Sequence, residues 1–287
     1  MQLFETLLNG LLLGGLYGLI GLGLSINFGT MRVVHLVHGD LIVLAAYFLV
    51  VVLVPWGLPP LAAAAVVVPL LFSVGWAMQR FLVGRSLGRG VLPPLIVTFG
   101  ISMVLQNGLL LWATADARTL QSSLSSSGVQ IGGLTVASVR IVDFAAGLAC
   151  LGLLLLLLGR TALGRALRAT SDDASTARLM GIDPRRMYAA AAAIAAATGG
   201  VAGVLMAATS TFYPSTGSAT LLIAFEVVVV GGLGSLTGTF LGGILLAMAQ
   251  LLGARLVGPS YAQLTGHLVV LLVLVFRPQG LLPRTAP

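Results

Sequence analysis

Apolar residues run in long blocks along the chain, and polar positions are confined mainly to the gaps between them. A helix of about 20 apolar residues spans roughly 30 Å of hydrocarbon. On that measure the blocks predict membrane spans at 7–28, 33–54, 61–82, 92–112, 141–158, 187–209, 221–230, 238–256 and 264–276. The segments at 221–230 and 264–276 are short, so the reading is eight or nine crossings in one polytopic, all-α helical bundle covering 1–287. The start, MQLFETLLNG, holds an acid and no basic residue, and its apolar stretch outruns a signal-peptide core, so it reads as a retained first span.

The gaps orient the bundle. Arg80, Arg85 and Arg89 lie in one, and the segment 159–186, GRTALGRALRATSDDASTARLMGIDPRR, holds six arginines in another. Both belong in the cytoplasm, because loops rich in arginine stay on that side. Alternation then puts 115–140 outside, where QSSLSSSG reads as a flexible turn, together with 55–60 and 213–218. The C-terminal end, with Arg277 and Arg284, falls inside. If every segment crosses, the N-terminus is outside; a re-entrant 221–230 changes both the count and that side.

Composition fits this picture. Of 287 residues 58% are hydrophobic and 8% charged, with mean hydropathy +1.07, too few polar groups to cover a water-soluble surface. The net charge of +7 comes from arginine, since lysine is absent. Without a basic groove there is no nucleic-acid footprint. The single cysteine, Cys150, excludes an intrachain disulfide or a cysteine cluster. Glycines four apart, at Gly10, Gly14 and Gly18, at Gly234, Gly238 and Gly242, and at Gly199 and Gly203, predict stripes of close helix packing.

The arginine-rich island predicts a short cytoplasmic helix of about ten residues. Thr170 or Ser171 serves as its N-cap, Asp172 and Asp173 place negative charge on the first turn, Arg178 sits near the other end, and Gly181 stops it. Asp183 and Pro184 then cap and start the next span. Its exposed side, with Ala174, Ala177 and Met180 among charges, suits a groove on another protein; a solvated helix, or one resting on lipid headgroups, is the plain alternative.

Polar residues inside apolar blocks are expensive and mark candidate sites. Glu226 is the foremost, positioned to accept a hydrogen bond from a substrate ammonium or from a neighbouring helix. After it, 231–238 is expected to break the helix and expose backbone groups at Gly232 and Gly234. It is not a phosphate loop, which needs a lysine, nor a dinucleotide fingerprint. His35, His38 and Asp40 lack the convergent ligands of a metal site and are expected to cap and orient the second helix near the membrane boundary. Asn27, Gln106, Asn107 and His267 are explained by interhelical hydrogen bonds of about 1 kcal/mol.

Five segments carry a family resemblance: GLLLGGLYGLIGLGLSINFG near the start, HLVHGD at 35–40, RLMGID at 178–183, VVVVGGLGSLTGTFLGG at 227–243, and the closing RPQGLL at 277–282. Together they make the chain similar, over nearly its full length, to the permease subunits of ABC importers for branched-chain amino acids, the LivH type. Two departures stand out. Ser175-Thr176-Ala177 replaces the family's Glu-Ala-Ala, and His35 stands where asparagine is usual. The resemblance implies that 160–186 is the cytoplasmic coupling loop, with Arg168, Asp172, Asp173, Ser175, Ala177, Arg178 and Gly181 meeting an ATPase subunit. The translocation pathway is expected to draw on the polar and helix-breaking residues Asn27, His38, Asp40, Glu226, Gly232 and Gly234. The resemblance also implies a second homologous permease, an extracytoplasmic solute-binding protein, a place in the bacterial inner membrane, and leucine, isoleucine, valine or a related urea or amide as solute. This chain would bind no cofactor, ATP and Mg residing on the ATPase, because without lysine it cannot form a Walker A site. The alternatives are an ion-coupled secondary transporter, which needs buried carboxylates beyond Glu226, and an intramembrane hydrolase, for which no nucleophile elbow is present.

Overall fold

Helix α1 (Gln2–Met31) forms one axis of the bundle in a computed structural model that describes residues 2–120, 127–131 and 134–282. Most of the serine-rich turn and Arg284 lie outside the described residues. The second helix, α2 (His38–Tyr47), continues as a π-helical turn over Phe48–Leu53. There follow α3 (Pro60–Phe81), α4 (Leu92–Ala113), strands β1 (Gly128–Ile131) and β2 (Leu134–Ala137), α5 (Ser138–Arg160), α6 (Ala162–Asp172) and α7 (Ala174–Leu179). The remainder is α8 (Pro184–Thr209), α9 (Thr216–Gly231), α10 (Leu236–Leu256) and α11 (Ala262–Phe276). Seven helices among the described residues are long and apolar enough to cross a membrane, and the helical runs His38–Leu53 and Thr216–Gly231 are shorter. This is a multi-pass membrane protein.

Glycine brings α1 and α10 together. A Cβ on Gly10 would lie 2.9 Å from Met248 Cα, and one on Gly18 would lie 2.6 Å from the Phe240 ring, so any larger residue forces the backbones apart. The expected stripe on α10 holds for Gly238 and Gly242, which lie against α9, whereas Gly234 belongs to the loop before the helix with φ +81°. The other axis is α8, whose alanine-rich centre is buried between α2 and α3, with Gly203 against Ile42 and Ala45. Small side chains here let three helices converge where larger ones would hold them apart.

The two arginine-rich loops meet at one face, where Arg80, Arg85 and Arg89 share a cavity with Arg178 and Arg185. Loops of this charge stay in the cytoplasm. The end of α1, the α9–α10 break and the tail all belong to this face.

Three elements differ from the sequence reading. The second span does not begin at 33. Arg32, with φ +53°, ends α1, and the chain then runs without helix to His38. The helical part, His38–Leu53, is about 24 Å long at 1.5 Å per residue, so the inner part of this crossing is non-helical backbone. Outside, part of the expected flexible loop is an antiparallel hairpin, with Gly128 opposite Ala137 and Val129 opposite Val136, a pairing suited to β-branched residues. The cytoplasmic island forms two helices where one was expected. Thr161, which accepts from Gly164 N–H at 3.1 Å, opens the first, and Asp173 opens the second.

Candidate functional site: a polar lane and a docking knob

The non-helical approach to α2 sets the polar side chains deep in the bundle. His35, His38 and Asp40 are each only 1% exposed, so the expectation that they cap a helix at the membrane boundary is corrected. The N-cap position is Val37, and no side-chain cap is made. His35 Nε2 donates to Gln79 Oε1 on α3 at 3.1 Å, and His38 Nε2 donates to the Ile20 carbonyl of α1 at 3.0 Å. Asp40 accepts from Gln106 Nε2 of α4 at 2.9 Å, and the same amide lies 3.2 Å from Ser218 Oγ on α9. Two glycines permit this placement. Gly39 lies against the Gly217 carbonyl, and Gly217 lies against the Asp40 carboxylate.

Together they make a polar lane around the start of α2, with His38 turned toward α1 and Asp40 toward α4 and α9. At its outer end Gln106 lines a cleft of about 380 Å³ with Asn107, Tyr213 and Ser215. At its inner end Gln79 lines a cytoplasmic cavity of about 870 Å³. Between them stand Asp40, His38 and His35. Buried polar groups in a bilayer face such interior routes far more often than lipid, and half-helices that begin within the membrane are a recurrent device for lining them.

The other expected pathway residues lie apart. Glu226 makes the second of its two anticipated contacts, a hydrogen bond with His267 Nδ1 of α11. It sits nine residues beyond Gly217 on α9, about 180° around the helix from the Asp40 contact. Nearby, Tyr17 donates to Gln250 at 2.8 Å, giving a separate polar seam that ties α1, α9, α10 and α11. His267→Ala is therefore expected to leave uptake within about twofold and to cost about 1 kcal/mol of stability, readable by thermal unfolding of the solubilised protein. Asn27 is buried near the inner end of α1 with its Oδ1 unpartnered, off the lane. Gly232 and Gly234 do break the helix, at φ +110° and +81°. The last carbonyls of α9 are taken up by the tail, Leu281 N–H donating to Val230 O at 2.8 Å and Leu282 N–H to Gly231 O at 3.0 Å, while Gly234 lines a crevice of about 290 Å³ with Ser25 and Arg168. The closing RPQGLL is thus a cap on α9.

On the cytoplasmic side, Ser171 Oγ donates to Gly29 O at 2.6 Å and fastens the island to α1. Leu167 and Thr170 face inward, so neither Thr170 nor Ser171 caps the docking helix. That role falls to Asp173, whose Oδ1 accepts the N–H groups of Ser175 at 2.8 Å and Thr176 at 3.2 Å while the carboxylate also takes both hydroxyls. A carboxylate with four donors outcompetes a hydroxyl for the end of a helix. The Ser175 hydroxyl first, then that of Thr176, holds the Asp173 carboxyl well below its ordinary range. Because this pKa is depressed on folding, the cap contributes in full above about pH 4 and is lost only as pH falls through the lowered value.

Ala177 turns inward at 3% exposed, a correction to its expected place on the outer side. Arg178 lies on the wall of the cytoplasmic cavity, which Asp172 does not line. Gly181 takes φ +82° and donates to Arg178 O at 3.0 Å, closing the helix as expected. Arg168 is directed to the Leu158 carbonyl and lines a smaller crevice. What projects is Leu179, 86% exposed, and Met180, 78% exposed. Of the two, Leu179 was not among the singled-out residues, although the adjacent Leu-Met pair before a helix-stopping glycine was a readable signal. Gln79 was also passed over. A lone glutamine in an apolar span was the cue.

The family profile described as branched-chain amino acid transport system / permease component matches residues 6–277. The high-affinity branched-chain amino acid transport system permease protein BraD of Pseudomonas aeruginosa is 30% identical over 293 residues, covering 98% of this chain and 95% of that one. The corresponding LivH protein of Escherichia coli is 27% identical over 312 residues, covering 99% and 96%. Among solved structures, PsaBC from Streptococcus pneumoniae in complex with Fab matches with TM-score 0.51 at 13% identity, over 96% of this chain and 92% of that one, a likeness of fold.

Proposed function

The chain belongs to the branched-chain amino acid transport permease family, and we propose that its polar lane carries a branched-chain amino acid or a related small solute inward across a bacterial inner membrane. It is a permease subunit of an ABC importer and not an enzyme. In this reading the solute arrives from an extracytoplasmic binding protein, enters the cleft at Gln106, and leaves by the cytoplasmic cavity. Hydrolysis of ATP with Mg takes place on a separate ATPase gripping the island through Leu179, Met180, Arg178 and the Asp173-capped turn. A second, homologous permease completes the pathway against α4. That helix supports the pairing, since Gly100 and Gly108 lie exposed on one face of it with nothing packed against them, where another helix can approach closely.

The observation carrying this reading is the interrupted second span, which sets His35, His38 and Asp40 inside the bundle, His35 bonded to Gln79 of the inner cavity and Asp40 to Gln106 of the outer cleft. An ion-coupled mechanism needs carboxylates converging on one route, and Asp40 and Glu226 diverge around α9. The deciding experiment reconstitutes the chain with its partner permease, ATPase and binding protein in proteoliposomes. Leucine should accumulate only with internal or external ATP on the ATPase side, and not in response to a proton or sodium gradient. Gradient-driven uptake without ATP would overturn the proposal.

A further inference from the structure

The cytoplasmic cavity has a chemistry that passage of an amino acid does not account for. Six arginines line its walls: Arg32, Arg80, Arg85, Arg89, Arg178 and Arg185, and no carboxylate is among its lining residues. Gln79 lies at its edge, 1% exposed, with its Oε1 taken by His35 and its Nε2 without a partner. A buried amide donor left unpaired is costly unless a ligand or water meets it. The backbone is shaped to bring the charges together. Arg32 is held at φ +53°, and Gly88 and Gly90, at φ +84° and +101°, fold the loop after α3 so that Arg85 and Arg89 share the cavity with Arg178 and Arg185. Strained residues of this kind persist where function holds them.

A pocket made of donors and positive charge is complementary to an anion with many oxygens. One amino-acid carboxylate would neutralise a single arginine of six. Two phosphates bring at least two charges and enough acceptor oxygens for several guanidinium forks, and a volume of about 870 Å³ accommodates them. We propose that this cavity binds an anion carrying two or more phosphate groups. Such a group can come from an inner-leaflet phospholipid with a diphosphate headgroup or from a soluble polyphosphate. Basic pockets between helices on the cytoplasmic side are suited to the first, and Phe81, Leu87 and Val91 on the same walls, with Leu82 and Leu92 exposed beside them, offer acyl chains a path. Since Arg178 belongs to the docking segment, an occupant would also brace the loop after α3 against the segment that carries Leu179 and Met180.

The test uses the purified full-length chain, stripped of lipid in detergent, with tetraoleoyl cardiolipin titrated by native mass spectrometry and inorganic pyrophosphate by calorimetry. At least one probe should bind, and R85Q/R89Q should weaken it about tenfold or more, as loss of charge-assisted bonds to phosphate predicts. The charge-keeping R85K/R89K should weaken it less than R85Q/R89Q does, since lysine keeps the charge but not the guanidinium fork. Cardiolipin binding that pyrophosphate does not displace identifies the lipid as source; pyrophosphate binding with the same arginine dependence identifies the soluble one. The proposal is overturned if neither probe binds with arginine dependence, or if R85Q/R89Q loses only association with another subunit, which would make the cavity a seat for a protein segment. Because the readout is binding, it stands apart from whether the lane carries solute.

Discussion

Replacing Asp40 by alanine is expected to reduce ATP-driven uptake about 100-fold while the protein still folds and assembles. Asp40 is the one carboxylate among the described residues of the lane, and it shares the amide of Gln106, a residue of the outer cleft, with Ser218. A zwitterionic solute passing this point carries an ammonium group, and an anionic acceptor here would spare it the cost of crossing unpaired. Charge-assisted hydrogen bonds of this type are worth about 1.5–3 kcal/mol, roughly tenfold to more than 100-fold in binding. Asp40→Asn separates charge from shape. It keeps an oxygen for Gln106, so the bundle should be as stable as the parent, yet uptake should fall with a rise in KM of about tenfold or more. Gly217→Val supplies an independent route to the same defect, because its side chain would occupy the space of the Asp40 carboxylate. Uptake by Asp40→Asn at the parent rate, with the protein monodisperse, would remove Asp40 from the pathway and with it the lane.

The bundle was legible in the sequence because spanning helices leave a coarse, redundant trace. Length and hydropathy fix them without reference to what they touch, so most of the spans fell close to their places, and the two arginine loops came together on one face. What escaped was decided by contacts between distant segments. Hydropathy alone could not separate His38–Leu53 from the non-helical residues before it, since Val33, Val34 and Leu36 are as apolar as the helix itself. His35, Asp40 and Glu226 were each conspicuous, yet nothing local distinguishes a lane residue such as Asp40, paired with Gln106, from a seam residue such as Glu226, paired with His267. The same holds for Asp143, fully buried on α5 and accepting from Thr209 at 3.0 Å, which the sequence reading passed by. The cap on the docking helix shifted by two or three residues because Thr170 and Ser171 found partners elsewhere, at Ala166 and Gly29, leaving the end to Asp173. Polar chemistry was visible in the sequence; its partners were a property of the fold.

Replacing both Leu179 and Met180 by aspartate is expected to sever the permease from its ATPase while leaving the membrane bundle untouched. Both side chains project into water, 86% and 78% exposed, so folding does not depend on burying them within this chain. Large apolar groups held out on a capped, rigid turn are the kind of residue that anchors a protein interface. Truncating an anchor commonly costs 2 kcal/mol or more, about 30-fold in affinity, and placing a carboxylate in its pocket costs further. The double variant should therefore fail to retain ATPase subunits on purification and should show no ATP-driven leucine uptake. Its unfolding temperature should stay close to that of the parent. Gly181→Pro attacks the same element through the backbone. Proline requires φ near −65°, whereas Gly181 sits at +82°, and it removes the N–H that donates to Arg178 O. The turn would open and carry Leu179 and Met180 away from their positions, so ATP hydrolysis and uptake should come apart even where some ATPase remains bound. Gly181→Ala keeps the N–H and should produce a milder form of the same defect. If the aspartate pair supports normal ATPase retention and uptake, the grip lies elsewhere on the cytoplasmic face, with the exposed arginines of α6 the next surface to probe.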